Sequence, residues 1–358
     1  MSDSTKHPIG SRKIDHIALC ATEDVGFHGT TTLLECVRFL HNALPDLDFA
    51  ALDPSISLFG KRLKLPLCIA SMTGGTEEAT RINRDLAAVA EARGLAFGVG
   101  SQRAMVTRPE SAPTYHVRGV APTTVVLGNL GVVQARDMKA ADIRKLTDAI
   151  GADALCIHLN PAMELVQPGG DRDFSGGLAA IARIVEELSI PVIVKETGCG
   201  ISANVAKRLK NVGVVHVDVS GAGGTSWVGV ETKRAEAQND AASKALGDSF
   251  WNWGIPTAAS VGMVAGVGFE TIFATGGIKS GMDIARAISL GAHLGGIARP
   301  MLQAVREHGE KGAHAFVDAI EAELRAAMLL TGSQNVSALR NAEKVIVGEL
   351  GLWLPQTQ

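Results

Sequence analysis

Eight short runs rich in β-branched and small apolar residues recur from residue 65 onward, and stretches with helical periodicity lie between them. The runs fall at 65–71, 96–100, 124–130, 154–160, 191–197, 214–220, 271–276 and 294–299. In the segment INRDLAAVAEARG, Ile82, Leu86, Val89 and Ala90 share one helical face, and AADIRKLTDAIG, GGLAAIARIVEEL, ANVAKRLKNVG and MDIARAISLG repeat the pattern. Strands that alternate with helices pair in parallel and are buried on both faces. Eight such units in one chain of 358 residues point to a closed α/β architecture, a (β/α)8 TIM barrel, rather than an open doubly wound sheet. The expected organisation is a single domain over 1–358. An N-terminal arm or extension occupies 1–60, and an irregular insertion follows the sixth strand over 228–254.

Charge and composition narrow the function classes. A formal net charge of -3 argues against a general nucleic-acid binder. No run approaches the roughly 18 apolar residues of a membrane span, and the opening MSDSTKHPIGSRK is polar. A soluble cytoplasmic protein with no nucleic-acid or membrane partner is the expectation. The five cysteines show no CxxC or metal-ligand spacing, and Cys68 and Cys156 sit in apolar runs that suit inert buried thiols.

In a barrel of this kind chemistry gathers where strands end, on the C-terminal face. The segments there are MTGG (72–75), GSQR (100–103), GNLG (128–131), HLN (158–160), KETG (195–198), SGAGGTSW (220–227), ATGGIKSG (274–281) and GGIARP (295–300). Every one carries glycine or a hydrogen-bonding side chain. After the last two strands, the backbone N–H groups of Gly276, Gly277, Ile278, Ala298 and Arg299 suit a phosphate, helped by helix N-termini. Lys195 ends the apolar run PVIV, so its ammonium points into the barrel mouth, where burial demands an anionic partner. The negatively charged N1 side of a reduced flavin is one such partner; a salt bridge to Glu196 or Asp218 is the alternative. Ser71, Met72, Thr73, Ser101, Asn129, Ser220 and Thr225 complete a ring of donors and acceptors fit for an isoalloxazine.

HLNPAMELVQPGGDRDF (158–174) is the densest stretch of functional groups. His158 and Asn160 have alternate-residue spacing and face the same way. Glu164 follows one helical turn later, and its carboxylate suits Mg2+ with substrate phosphates in the other positions. Near the N-terminus, SRKIDHI collects Arg12, Lys13 and His16, which clamp a diphosphate if the arm folds over the barrel mouth; Arg103 is a further cation there.

In order along residues 12–335, the motifs RKIDHI, MTGG, GSQR, GNLG, HLN, GDRDF, KETGCGIS, DVSGAGGTSW, WGIPTA, GGIKSGMDIARA, GIARP and LLTGSQN resemble the series of the type 2 isopentenyl-diphosphate isomerases. GGTSW followed by WGIPT, with an RKxDHI arm, is the specific part. The resemblance implies FMN, Mg2+ and isopentenyl diphosphate in one barrel, reduction by NADPH, and assembly as a homotetramer or homo-octamer. It assigns flavin contacts to Ser71, Met72, Thr73, Ser101, Asn129, Lys195, Ser220, Thr225, Gly276, Gly277, Ala298 and Arg299. It assigns the substrate to Arg12, Lys13, His16, Ser101, Gln102, Arg103, His158 and Met163, catalysis to His158, Asn160 and Lys195, and Mg2+ to Glu164. The implied reaction is a 1,3-allylic isomerisation to dimethylallyl diphosphate, in isoprenoid biosynthesis, with reduced flavin as the acid–base group. Where the family usually reads HLNxxQE this chain has Met163 for the glutamine, and Gly169 stands for the acid of PEGDR. Two other readings share the barrel: an FMN-dependent oxidoreductase, and a flavoprotein homologue whose turnover Met163 impairs.

Overall fold

Each of the eight runs becomes a strand of one closed parallel barrel in the computed structural model, which describes residues 9–354. In chain order they are β1 (Leu67–Ile69), β2 (Ala96–Gly98), β3 (Val125–Gly131), β4 (Ala154–His158), β5 (Val192–Lys195), β6 (His216–Asp218), β7 (Thr271–Ala274) and β8 (Leu294–Ile297). Each pairs with the next, and β8 returns to β1 with Gly295 opposite Leu67 and Ile297 opposite Ile69. The paired lengths are shorter than most of the runs, and the polar residues that end several runs lie past the pairing, at the rim.

Alternation along the strands sorts side chains into two cores. Val125, Leu127, Cys156, Ile193 and Phe273 pack inside the barrel, while Val126, Ile157, Val194 and Ile272 face the helices outside. A hairpin of Ile56–Leu58 and Lys61–Leu63 adds Leu58 and Leu63 to the inner cluster and sets Phe59 against His216 at the start of β6. That hairpin plugs the N-terminal end and leaves the C-terminal end for chemistry. Cys68 and Cys156 are buried as expected, and burial pushes the Cys156 thiol up to about 12. The helix Glu77–Arg93 buries Ile82, Leu86, Val89 and Ala90 on the face its periodicity marks, after Thr76 Oγ1 accepts from the Ala79 N–H at 3.2 Å. No helix among the described residues is long and apolar enough to cross a membrane.

The arm is structured. Helix α1 (Ile9–Thr22) lies over the open end of the barrel, where the Arg299 guanidinium donates to the carbonyls of Cys20 (2.9 Å) and Glu23 (2.5 Å). Farther on, Val37–Phe39 pairs antiparallel with Lys344–Ile346 and ties the arm to the last part of the chain.

The segment 228–254 is not irregular. It folds as two helices, Trp227–Ala237 and Ala241–Phe250. Ser226 Oγ and Asp240 Oδ1 cap them, accepting from the N–H groups of Gly229 and Ser243 at 3.0 Å each. The first escapes a periodicity reading because its buried face carries charge: Glu231 and Arg234 are buried and paired at 2.6 Å. Such a helix shows no apolar stripe.

Below the barrel, His293 Nδ1 accepts from the Ile272 N–H at 3.0 Å, and Arg340 Nη1 lies 3.3 Å from Nε2. Burial first, then the Arg340 charge, pushes the imidazole down to about 4. The unfolded chain therefore takes up a proton between about pH 6.5 and 4 that the folded chain refuses, so this residue's contribution to stability is lost as pH falls through 6.5. Denaturant midpoints measured at pH 7 and pH 5 should differ less in His293→Gln than in the parent chain; equal differences would contradict this.

Candidate active site

At the C-terminal ends of the strands, under α1, opens a cavity of about 960 Å³. It is bordered by every residue nominated from the sequence except one. The exception is Gln102, which is fully buried in the wall. Its amide donates to the Leu146 carbonyl at 2.8 Å and accepts from the Asn129 N–H at 3.0 Å, so it props up the end of β3 instead of reaching a ligand. Its neighbours Ser101 and Arg103 do face the cavity.

Cations gather on the α1 side. Lys13 Nζ donates to Tyr115 Oη (2.6 Å) and the Ser101 carbonyl (3.2 Å), and burial, followed by the charges of Arg12 and Arg108, pushes it down to about 7. Arg12 makes no hydrogen bond or ion pair among the described residues, and burial lowers its pKa from the ordinary arginine value. Arg103 has only a long contact with Asp171, at 3.4 Å. Burial and neighbouring positive charge act against the charged forms of Arg12 and Lys13, and a bound anion offsets both effects. His16 is engaged differently: its Nε2 meets the buried Glu231 carboxylate at 2.7 Å, anchoring α1 to the Trp227–Ala237 helix.

His158, the last residue of β4, and Asn160, which caps the helix Pro161–Val166 after it, border the same space. His158 Nδ1 bonds Asn129 Oδ1 at 2.8 Å; burial, then Lys195 and Arg103, pushes the ring down to about 3, so it is a neutral imidazole at physiological pH. Glu164 is buried beside them. Its Oε1 accepts from Asn160 Nδ2 at 2.9 Å, and its Oε2 from Gln167 Nε2 (3.1 Å) and the Asp171 N–H (2.8 Å). Gln167 Oε1 is buried there without a partner. One carboxylate and one spare amide oxygen make an all-oxygen set, which suits a hard cation that takes most of its ligands from water and phosphate. No group of three or more His, Cys, Asp or Glu able to hold a metal occurs among the described residues.

The barrel floor and far wall fit a flavin mononucleotide. Thr73 Oγ1 is buried and unpartnered while its residue borders the cavity. Lys195 is buried, with its Nζ donating only to the Glu196 carbonyl at 2.7 Å. No carboxylate lies within 4.0 Å of it among the described residues, so the salt bridge kept as an alternative does not form. On the far wall, Gly276 and Gly277 hold φ of 93° and 77°, and a Cβ on Gly277 would meet the Gly223 carbonyl oxygen at 2.8 Å. The N–H groups of Gly276, Gly277 and Ile278 donate to no group among the described residues. Free N–H groups of this kind suit an anion, and Ala298 and Arg299 at the start of the Arg299–Leu330 helix border the same cavity.

Sequence reasoning missed several wall residues. Lys279 and Arg286, with a buried unpartnered Nε on Arg286, border the cavity. Thr30, Thr31 and Thr32 arrive from the arm, where nothing in the local pattern marks them. Lys279 alone carried a signal, as the cation directly after GGI.

Comparison with known proteins bears on the fold and the family. The profile of the FMN-dependent dehydrogenase family matches residues 169–345. Proteins named isopentenyl-diphosphate delta-isomerase align along almost the whole chain. The one from Methanothermobacter thermautotrophicus is 43% identical, covering 97% of this chain and 96% of its own. That from a Synechococcus strain is 47% identical over 92% and 94%, and that from Pyrococcus furiosus 42% over 96% and 89%. Among solved structures, a mandelate oxidase variant superposes with a TM-score of 0.64 at 18% identity, covering 94% of this chain and 95% of the other, and shares the fold. Identity of this extent, on an FMN-type barrel, places the chain in the type 2, FMN-dependent isopentenyl-diphosphate delta-isomerase family.

Proposed function

We propose that the chain converts isopentenyl diphosphate to dimethylallyl diphosphate, with FMN as resident cofactor, NADPH as its reductant and Mg2+ beside the diphosphate. The observation that carries this reading is the sharing of one cavity by two seats. The seat of Lys195, Thr73 and the Gly276–Gly277 turn shares the cavity with Arg12, which has no ion-pair partner among the described residues, Lys13, bonded only to neutral groups, and Arg103, held only by a long contact to Asp171. A homotetramer or homo-octamer in the cytoplasm belongs to the same proposal.

The reaction adds a proton at C4 of an unactivated alkene and removes one from C2. Bound reduced FMN supplies the acid–base chemistry for this, which explains a redox cofactor in a reaction with no net redox change. The chain's side chains do the rest. Arg12, Lys13 and Arg103 bind the diphosphate, and Ser101 borders them. His158, neutral and fixed by Asn129, offers hydrogen bonds without a competing charge. Asn160 orients Glu164, which holds Mg2+. Met163 lines the cavity without a strong hydrogen-bonding group, so the reacting hydrocarbon end meets an apolar wall there. Helix α1, latched by Arg299 and Glu231, carries Arg12 and Lys13 to the cavity.

The direct test is an anaerobic assay of the FMN-loaded protein with NADPH, Mg2+ and isopentenyl diphosphate. Dimethylallyl diphosphate should accumulate; its absence from a protein whose flavin is bound and reducible would move the chain to another substrate. Glu164→Gln should abolish the response of the rate to Mg2+, and an unchanged Mg2+ titration would remove Glu164 as the ligand.

A further inference from the structure

Beneath the flavin seat lies a pair of buried opposite charges, of which the seat itself uses one. Lys195 ends β5 and Asp218 ends β6, and the two are register partners on neighbouring strands. Such strands run about 4.8 Å apart. Both side chains point into the barrel, because both border one small void of about 10 Å³ whose edge also includes Ser71 and Thr275. Lys195 is 8% exposed and Asp218 5%, so solvent screens neither well. They are close without touching, and Asp218 is steadied from its other side. Its Oδ1 accepts from Thr275 Oγ1 at 2.6 Å and from the Ser220 N–H at 3.2 Å. Burial pushes the Asp218 carboxyl up, and the Lys195 charge is the largest influence opposing that.

The other titratable groups around Lys195 offer it less. His158 is neutral, and burial keeps the Cys68 and Cys156 thiols protonated. Glu196 Oε2 is turned to the backbone N–H groups of Thr197, Gly198 and Cys199 at 2.6, 2.7 and 2.5 Å. Among the described residues, Asp218 is the only carboxylate that shares the void with the ammonium.

We propose that Asp218 is a positioning residue that sets the redox preference of the flavin site, by offsetting through Lys195 part of the positive charge presented to the cofactor. This rests on the flavin seat proposed above. Reduced flavin carries more negative charge than oxidised flavin, so Lys195 favours the reduced form and Asp218 restrains that preference.

The test is the ratio of dissociation constants for oxidised and chemically reduced FMN, measured anaerobically on the full chain. Asp218→Asn keeps the side-chain shape and removes the charge. It should move the ratio toward reduced FMN by about tenfold or more, as expected for a unit charge several ångströms away in a poorly screened site. Lys195→Met should move it the other way. If Lys195→Met moves the ratio and Asp218→Asn leaves it within about twofold, or moves it toward oxidised FMN, the role of Asp218 is wrong and the seat stands. If Lys195→Met has no effect, the seat is wrong and the role falls with it. Asp218→Ser should give the same sign as Asp218→Asn, which covers a folding defect in the first variant. A merely structural role would lower the melting temperature of both and leave the ratio alone.

Discussion

Lys195→Ala is expected to leave a folded barrel that purifies largely without flavin, with FMN affinity lower by about a hundredfold. The size follows from the setting. A charged hydrogen bond in a buried site contributes about 1.5–3 kcal/mol, which is roughly ten- to a hundredfold in binding. Lys195 stands at the upper end because it is buried at the cavity floor with one carbonyl partner and no carboxylate within 4.0 Å among the described residues. Its charge is thus available to a ligand. Alanine also leaves the buried Asp218 carboxylate without the positive charge that most opposes its desolvation, so a modest loss of stability should accompany the loss of flavin. Absorbance at the flavin band after gel filtration, set against protein concentration, reads the first effect. Full retention of FMN at parental affinity would remove Lys195 from the seat.

The second large effect is expected at the other end of the cavity. Arg12→Ala should raise the KM for the diphosphate substrate by about a hundredfold while leaving FMN binding intact. Arg12 reaches the cavity from α1, is partly buried, and has no partner among the described residues. Removing it breaks no ion pair that the fold relies on, so the loss should appear in substrate binding and not in melting temperature. Lys13 is less clean, since its ammonium also ties α1 to Tyr115 and to Ser101. An Arg12→Ala protein with an unchanged KM would place the diphosphate elsewhere.

The barrel was legible because its signal is local and repeated. Eight apolar runs with helices between them fix a parallel closed sheet, and strand ends then nominate the rim. What escaped was non-local or off-pattern. The pairing of His16 with Glu231 joins residues 215 positions apart, and no spacing rule connects them. The Trp227–Ala237 helix hides behind its own buried charges, since a reading that equates burial with apolar character passes over Glu231 and Arg234. Gln102 shows the opposite error. It lies between two cavity residues, Ser101 and Arg103, yet its amide turns into the wall to satisfy Leu146 and Asn129. Motif membership gave the neighbourhood, and only the backbone direction at that residue could say which way it points. His158 and Asn160 fared better: both border the cavity, although only His158 lies in β4 and Asn160 caps the helix that follows.

The most direct measurement of an isomerase that uses a flavin without net redox change is a count of product formed per NADPH consumed. With FMN-loaded protein, Mg2+, excess isopentenyl diphosphate and a few equivalents of NADPH under anaerobic conditions, many molecules of dimethylallyl diphosphate should form for each NADPH oxidised. One molecule of product per NADPH, or a reduced product in place of the isomer, would contradict it and make the chain an oxidoreductase on the same barrel.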